Sequence, residues 1–217
     1  MNIILLGAPA SGKGTQATFL AKKFDLYLLQ TGELSRKLAQ TDPDIKKMYD
    51  AGKLIPHELV TMHVINFLST EKPDLKNILF EGFPRFIPQY KALETFLKEK
   101  GDDIDLIVSI DISIAESVKR ISSRRICSVC GKIYNLVTMP PTSGKCDCGG
   151  ELIQRSDDNP QSVKVRFKYY EDNTKELIDY LNRKGLLVSV NGERSVEEIQ
   201  EDLVRLVSEV KNEKDRS

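Results

Sequence analysis

Five short aliphatic runs punctuate the chain: Ile3-Ile4-Leu5-Leu6, Leu28-Leu29, Ile78-Leu79-Phe80, Ile104 to Ile110 and Leu186 to Val190. Unbroken apolar runs of this length suit strands covered on both faces, as in a parallel sheet. Between them lie segments with helical spacing. The first carries Phe19, Leu20 and Phe24; Asn159-Pro160 offers a cap and a first-turn proline ahead of Val163, Phe167 and Tyr170. Ser195-Val196-Glu197-Glu198 reads as a capping box ahead of Ile199, Leu203, Leu206 and Val210. Strands alternating with helices predict an α/β fold, a doubly wound parallel five-stranded sheet with helices on both faces. The charged tail 211–217 has no apolar residue beyond the last turn and is expected to fray.

One segment breaks the rhythm. From Ile126 to about Gln154 the chain has four cysteines, a Pro140-Pro141 pair, several glycines and no helical period, which predicts an insertion of short strands and turns. Arg120, Arg124 and Arg125 precede it and Arg155 and Arg166 follow, so it reads as a lid hinged on arginines.

What the lid would cover is written in the turn after the first run, Gly7-Ala8-Pro9-Ala10-Ser11-Gly12-Lys13-Gly14-Thr15-Gln16. Strand, glycine loop and helix in that order form a phosphate cradle: Gly12 and Gly14 let backbone N–H groups turn inward, and Lys13 reaches the outer phosphates of a nucleoside triphosphate. Gly14 occupies the usual hydroxyl slot of G-x-x-x-x-G-K-[ST], which leaves Thr15 as the metal-side hydroxyl.

Composition narrows the partners. With 217 residues, 40% of them hydrophobic, the chain can bury a substantial core. Lysine plus arginine and aspartate plus glutamate both number 32, so the neutral net charge argues against nucleic acid or an anionic membrane as partner. No stretch approaches eighteen apolar residues and Met1-Asn2 leads directly into strand-like sequence, so no export or membrane segment and a cytoplasmic location are expected. In that setting Cys127, Cys130, Cys146 and Cys148 suit one structural Zn²⁺ better than disulfides. The single residue between Cys146 and Cys148 is a tight bite, so a three-cysteine site, with Asp147 or a neighbour as fourth ligand, or two disulfides stay open.

Taken together, the motifs resemble the adenylate kinase family over nearly the whole length. Thr31-Gly32-Glu33-Leu34 with Arg36 is similar to T-G-D-x-x-R, Gly52 to Glu58 to G-x-L-V-P-D-E, and Phe80-Glu81-Gly82-Phe83-Pro84-Arg85 with Gln89 to F-D-G-F-P-R-x-x-x-Q. Arg120-x-x-x-Arg124-Arg125, Cys127-x-x-Cys130-Gly131, Cys148-Gly149-Gly150-Glu151-Leu152 and Arg155-x-Asp157-Asp158 resemble the long zinc-bearing lid. Ala10 stands where the loop usually has glycine, and Glu33, His57 and Glu81 where aspartates are common.

The resemblance implies reversible, Mg²⁺-dependent transfer of a phosphoryl group from ATP to AMP, giving two ADP, by a monomer acting on small nucleotides. It implies a core of 1–29, 61–120 and 160–217, a monophosphate-binding segment of 30–60 and a lid of 121–159. Catalysis would fall to Lys13, Arg85, Arg124, Arg155 and Arg166. ATP would meet Gly12, Lys13, Gly14, Thr15, Arg120, Arg124, Tyr134 and Arg194; AMP would meet Thr31, Arg36, Gly82, Arg85, Gln89, Arg155 and Arg166. Mg²⁺ would be held through water by Thr15 and Glu81. His57 and His63, the only histidines, read as surface or helix residues rather than bases. The rivals are a kinase for UMP, CMP or GMP, a P-loop NTPase, and a zinc-ribbon binding module.

Overall fold

The computed structural model describes residues 1–41, 43–50, 55–72, 74–154, 158, 160–214 and 216, without the side chains of 35–37, 39, 41, 44, 48–50 and 162. The expectations for Arg36, Gly52, Leu54, Arg155, Asp157 and Asn159 therefore lie outside the described residues. The order begins β1 (Asn2–Gly7), α1 (Lys13–Phe24), β2 (Tyr27–Gln30), α2 (Thr31–Thr41), α3 (Pro43–Asp50), α4 (His57–Thr70), β3 (Ile78–Glu81) and α5 (Ile87–Glu99). It continues through β4 (Leu106–Asp111), α6 (Ile114–Ser123), β5 (Arg124–Cys127), β6 (Ile133–Asn135), β7 (Leu152–Ile153) and α7 (Pro160–Tyr169). A π-helical turn (Tyr170–Thr174) then leads to α8 (Lys175–Arg183), β8 (Val188–Asn191) and α9 (Val196–Lys214).

Among the described residues the main sheet runs β2-β3-β1-β4-β8, all parallel. Successive residues of β1 point to opposite faces, so the aliphatic run feeds two cores. Ile3 and Leu5 pack with Ala17, Leu20, Ile199, Leu203 and Val207 of α1 and α9. Ile4 and Leu6 pack with Val64, Leu68, Leu93, Leu97, Leu177 and Leu181 of α4, α5 and α8. Truncating one such fully buried leucine to alanine costs about 2–5 kcal/mol, which is why this layer holds the loops above it in place.

The remaining strands form a three-stranded antiparallel sheet, β6-β5-β7, the body of the insertion. It is fastened to the end of α6 by Asn135 Nδ2 donating to the Arg120 carbonyl (2.9 Å) and Leu136 N–H donating to the Ser123 carbonyl (3.0 Å).

Two sequence expectations need correcting. The last strand starts at Val188 rather than Leu186, because Leu186 N–H donates to the Leu181 carbonyl (3.0 Å) and so belongs to the stop of α8. The tail does not fray at Lys211: α9 continues to Lys214, whose ammonium lies 2.6 Å from Asp105 Oδ1. The capping box at α9 is present, with Ser195 N–H donating to Glu198 Oε2 (2.9 Å) and Glu198 N–H to Ser195 Oγ (3.2 Å). No helix of the described residues is long and apolar enough to cross a membrane.

Candidate active site and cysteine centre

The glycine loop leaves the end of β1, and α1 begins at Lys13 from a left-handed Gly12 (φ 96°) with neither a capping side chain nor an acid in its first turn. A helix start whose N–H groups have no side-chain partner, at the positive end of the macrodipole, suits an anion. Ala10 is also left-handed, at φ 59°, a conformation that glycine takes without the steric cost a Cβ brings. Ser117 of α6 donates its hydroxyl to the Pro9 carbonyl, tying the helix that leads to the insertion onto this loop.

Lys13 Nζ donates to the Gly7 and Ala8 carbonyls at 2.8 and 2.7 Å. Burial pulls its ammonium down to about 8, opposed by Glu81 and reinforced by the positive fields of Arg85 and Arg124. The end of β3, the segment after it and the start of the insertion are thus within electrostatic reach of the loop lysine. Thr15 follows within the first turn of α1, and Glu81 ends β3 with Oε2 3.5 Å from Gln30 Nε2.

Arg124 opens β5 and Arg166 sits on α7, yet both meet at Asp158. Arg124 Nε donates to Asp158 Oδ2 at 2.8 Å and its Nη2 to Oδ1, while Arg166 Nη2 donates to Oδ1 at 2.7 Å. The Asp158 carboxylate is fully buried. Burial alone would push its pKa up, but the two guanidinium groups outweigh that and hold it below the usual carboxylate value. Sequence reasoning saw Asp158 only as part of a lid motif. Its task as the joint between two arginines needed the fold, because 34 residues separate it from Arg124.

On the other side, Gly82 (φ 81°) brings Thr31 and Arg85 together: a Cβ there would sit 2.5 Å from Thr31 Oγ1 and 3.2 Å from Arg85 Nη2. Arg85 Nε donates to the Gly82 carbonyl (2.7 Å). Gln89 is buried, its Oε1 accepting from Arg85 N–H (2.8 Å) and its Nε2 donating to the His57 carbonyl (3.2 Å). Among the described residues, one lone pair and one N–H of the amide are left over. Arg120 Nε donates to Glu116 Oε1 (2.7 Å), Arg194 pairs with Asp202, and Gln16 Nε2 binds the Val196 carbonyl (3.1 Å), joining α1 to the start of α9.

The four cysteines converge. Their sulfurs all lie within 4.8 Å of one another, with Cys127–Cys148 at 3.4 Å and Cys130–Cys146 and Cys130–Cys148 at 3.5 Å. A tetrahedron with metal–sulfur bonds of about 2.3 Å needs sulfur–sulfur edges of about 3.8 Å, so the set fits a four-thiolate metal site. All four cysteines are free rather than disulfide-bonded. Asp147 is committed to Lys132, outside the cluster, so the short Cys146-x-Cys148 spacing brings a sulfur, not a carboxylate, to the fourth corner. Gly150 is required for that closeness, since a Cβ there would come 2.5 Å from Cys127 Sγ.

Val129 and Cys130 N–H groups donate to Cys127 Sγ, both at 3.4 Å. The Tyr134 hydroxyl lies 3.4 Å from Cys146 Sγ; it and the Cys148 N–H pull the Cys146 thiol down to about 6, toward the thiolate a metal needs. Tyr134, which the resemblance assigns to ATP, is 3% exposed and packs in the core of the insertion.

A family model described as Adenylate kinase matches residues 5–186. Curated relatives of that name include one from Caldanaerobacter subterraneus subsp. tengcongensis, 41% identical over 210 residues covering 94% of each chain. The relative from Methanothrix thermoacetophila is 39% identical over 96% of this chain and 99% of its own, and that from Archaeoglobus fulgidus 37% identical over 98% and 100%.

Proposed function

We propose a division of labour among these residues on the premise that the chain belongs to the adenylate kinase family and transfers a phosphoryl group between ATP and AMP to give two ADP. Two polyphosphates must meet end to end against their mutual repulsion, and no protein nucleophile is needed because the acceptor is itself a phosphate oxygen. Catalysis then rests on positioned positive charge in a site shielded from water. The observation that carries this reading is the convergence of Lys13, Arg85, Arg124 and Arg166 from four separate elements.

In this reading the N–H groups of Gly12, Gly14 and Thr15 with Lys13 hold the triphosphate of ATP, with Arg120 and Arg194 on its nucleoside side. Thr31, Arg36, Gly82, Arg85 and Gln89 form the AMP site, and Arg124, Arg155 and Arg166 close on the transferring group. Thr15 and Glu81, hard oxygen donors at the ends of α1 and β3, suit Mg²⁺ through water; the ion supplies charge neutralisation on the phosphates. The cysteine tetrad suits structural Zn²⁺, with four ligands and no open position. Residues 1–29, 61–120 and 160–217 would act as the rigid core, 30–60 and 121–159 as the closing parts, in a cytoplasmic monomer that uses neither nucleic acid nor membrane.

Two outcomes test this reading. The free lone pair and N–H of Gln89 form a donor–acceptor pair suited to the adenine edge, and a buried amide left unpaired by another base penalises that base. With ATP as donor, kcat/KM for AMP should exceed that for GMP, CMP and UMP by at least about a hundredfold; comparable values for any of the three would point to another monophosphate kinase. The second concerns Lys13. Its pKa, drawn down to about 8, must rise beside a polyphosphate, so ATP binding near pH 8 should take up more protons in the wild type than in Lys13→Met, the difference fading toward pH 6. Calorimetric titration in buffers of different ionisation enthalpy reads this directly, and uptake unchanged in Lys13→Met would assign it elsewhere.

A further inference from the structure

Three rings stand in a row beside Arg85. His57, the first residue of α4, lies 4.7 Å from Phe86, centroid to centroid, and Phe86 makes a T-shaped contact with Tyr169 at 5.2 Å and 84°. The Arg85 guanidinium carbon sits 5.9 Å from the centre of the Tyr169 ring. Each ring belongs to a different element: the helix on the monophosphate side, the loop that presents Arg85, and the end of α7, the helix of Arg166. The Tyr169 backbone is fixed in turn, its carbonyl accepting from Asn173 Nδ2 at 3.0 Å within the π-helical turn. None of the three rings has a task in the transfer described above, and His57 stands where an aspartate is common.

We propose that Tyr169 is a positioning residue for Arg85, and that the His57–Phe86–Tyr169 row couples the AMP-side helix α4 to the helix that carries Arg166. The proposal rests on the reading of Arg85 as a ligand of the AMP phosphate. Arg85 has its Nε on the Gly82 carbonyl, which leaves the plane of the guanidinium free to swing about that bond. An aromatic face on one side restricts the swing, because an offset ring attracts the cation electrostatically. Phe86 props the ring through its T-shaped contact and is itself braced by His57. Burial raises the Tyr169 hydroxyl to about 12, so the ring stays neutral across the working range. Closure of the two sides on their substrates would then be transmitted through packed rings.

Steady-state kinetics on the full chain, varying AMP and ATP separately, tests this. Tyr169→Leu should raise KM for AMP about tenfold, with KM for ATP within twofold of wild type, and Tyr169→Phe should restore it, since the ring and not the hydroxyl does the holding. Phe86→Leu should give the same split, and the double variant Tyr169→Leu/Phe86→Leu should be no worse than the weaker single variant. Should Tyr169→Leu fail to fold, Phe86→Leu and its double-ring partner Phe86→Tyr carry the comparison. Equal changes in both KM values, no change at all, or no rescue by phenylalanine would overturn the proposal. Arg85→Ala separates the two levels: if it raises KM for AMP while Tyr169→Leu does not, the positioning role falls and the Arg85 reading stands. If Arg85→Ala leaves AMP kinetics unchanged, both fall.

Discussion

Lys13→Ala is expected to lower kcat by about three orders of magnitude or more at saturating ATP and AMP, while the folded protein stays at least as stable as wild type. The two halves of that result come from one observation. Lys13 is a buried ammonium held by the Gly7 and Ala8 carbonyls, and burial has drawn its pKa down from 10.5 to about 8. For a base whose folded pKa is depressed, the charged form costs stability below the folded pKa, and the cost fades as pH rises toward the unfolded value. Removing the amine therefore takes away a burden on the fold below pH 8. It also takes away the cation nearest the phosphates when they are present, where preorganised charge in a shielded site is worth roughly 4 kcal/mol or more. Stopped assays paired with calorimetric melting decide it; a variant within tenfold of wild-type kcat, or one that melts well below it, would contradict the account.

The second large effect is expected on removing metal from the insertion. Its buried core among the described residues consists of Cys127, Tyr134 and Cys146 with Leu152 packed against them, far too little apolar area to order a three-stranded sheet. A four-thiolate metal can contribute on the order of 10 kcal/mol to so small a module. Strong chelation, or Cys130→Ser, should therefore release hydrogen-exchange protection across 124–154 and add an early melting step, leaving the transition of the main sheet in place. Turnover should fall about tenfold or more, because Arg124 is the first residue of β5 and loses its fixed position on Asp158. Zinc well below one equivalent in protein purified without chelator, or undiminished protection after chelation, would show that the tetrad is not the clip.

The parts of this molecule legible in its sequence are those governed by neighbours along the chain. The aliphatic run before the glycine loop, the capping box at Ser195 and the knuckle at Cys127-x-x-Cys130 each carry their signal within a few residues, and each appears as read. What escaped depends on distant partners. Asp158 gathers Arg124 and Arg166 through charge that no local pattern reveals, and the anchoring of Lys214 by Asp105 turns a charged tail into the last turn of α9. The resemblance assigned Tyr134 to ATP without reporting its burial in the core of the insertion, which depends on Cys127, Cys146 and Leu152. His57 reads as a surface or helix residue and does open α4, but its packing partner, Phe86, arrives from another element and could not be read locally. Family resemblance assigned Gln89 to AMP but gave no sign of its bonds to Arg85 and the His57 carbonyl, which are set by the turn at Gly82 and the start of α4.

The central claim is direct transfer from ATP to AMP in a site that rejects water, and following a label on the γ-phosphate of ATP tests it most simply. With AMP and Mg²⁺ present, the label should appear in the β-phosphate of ADP, two ADP forming for each ATP consumed, with almost none released as inorganic phosphate. Label released as inorganic phosphate at the same rate with and without AMP would contradict it.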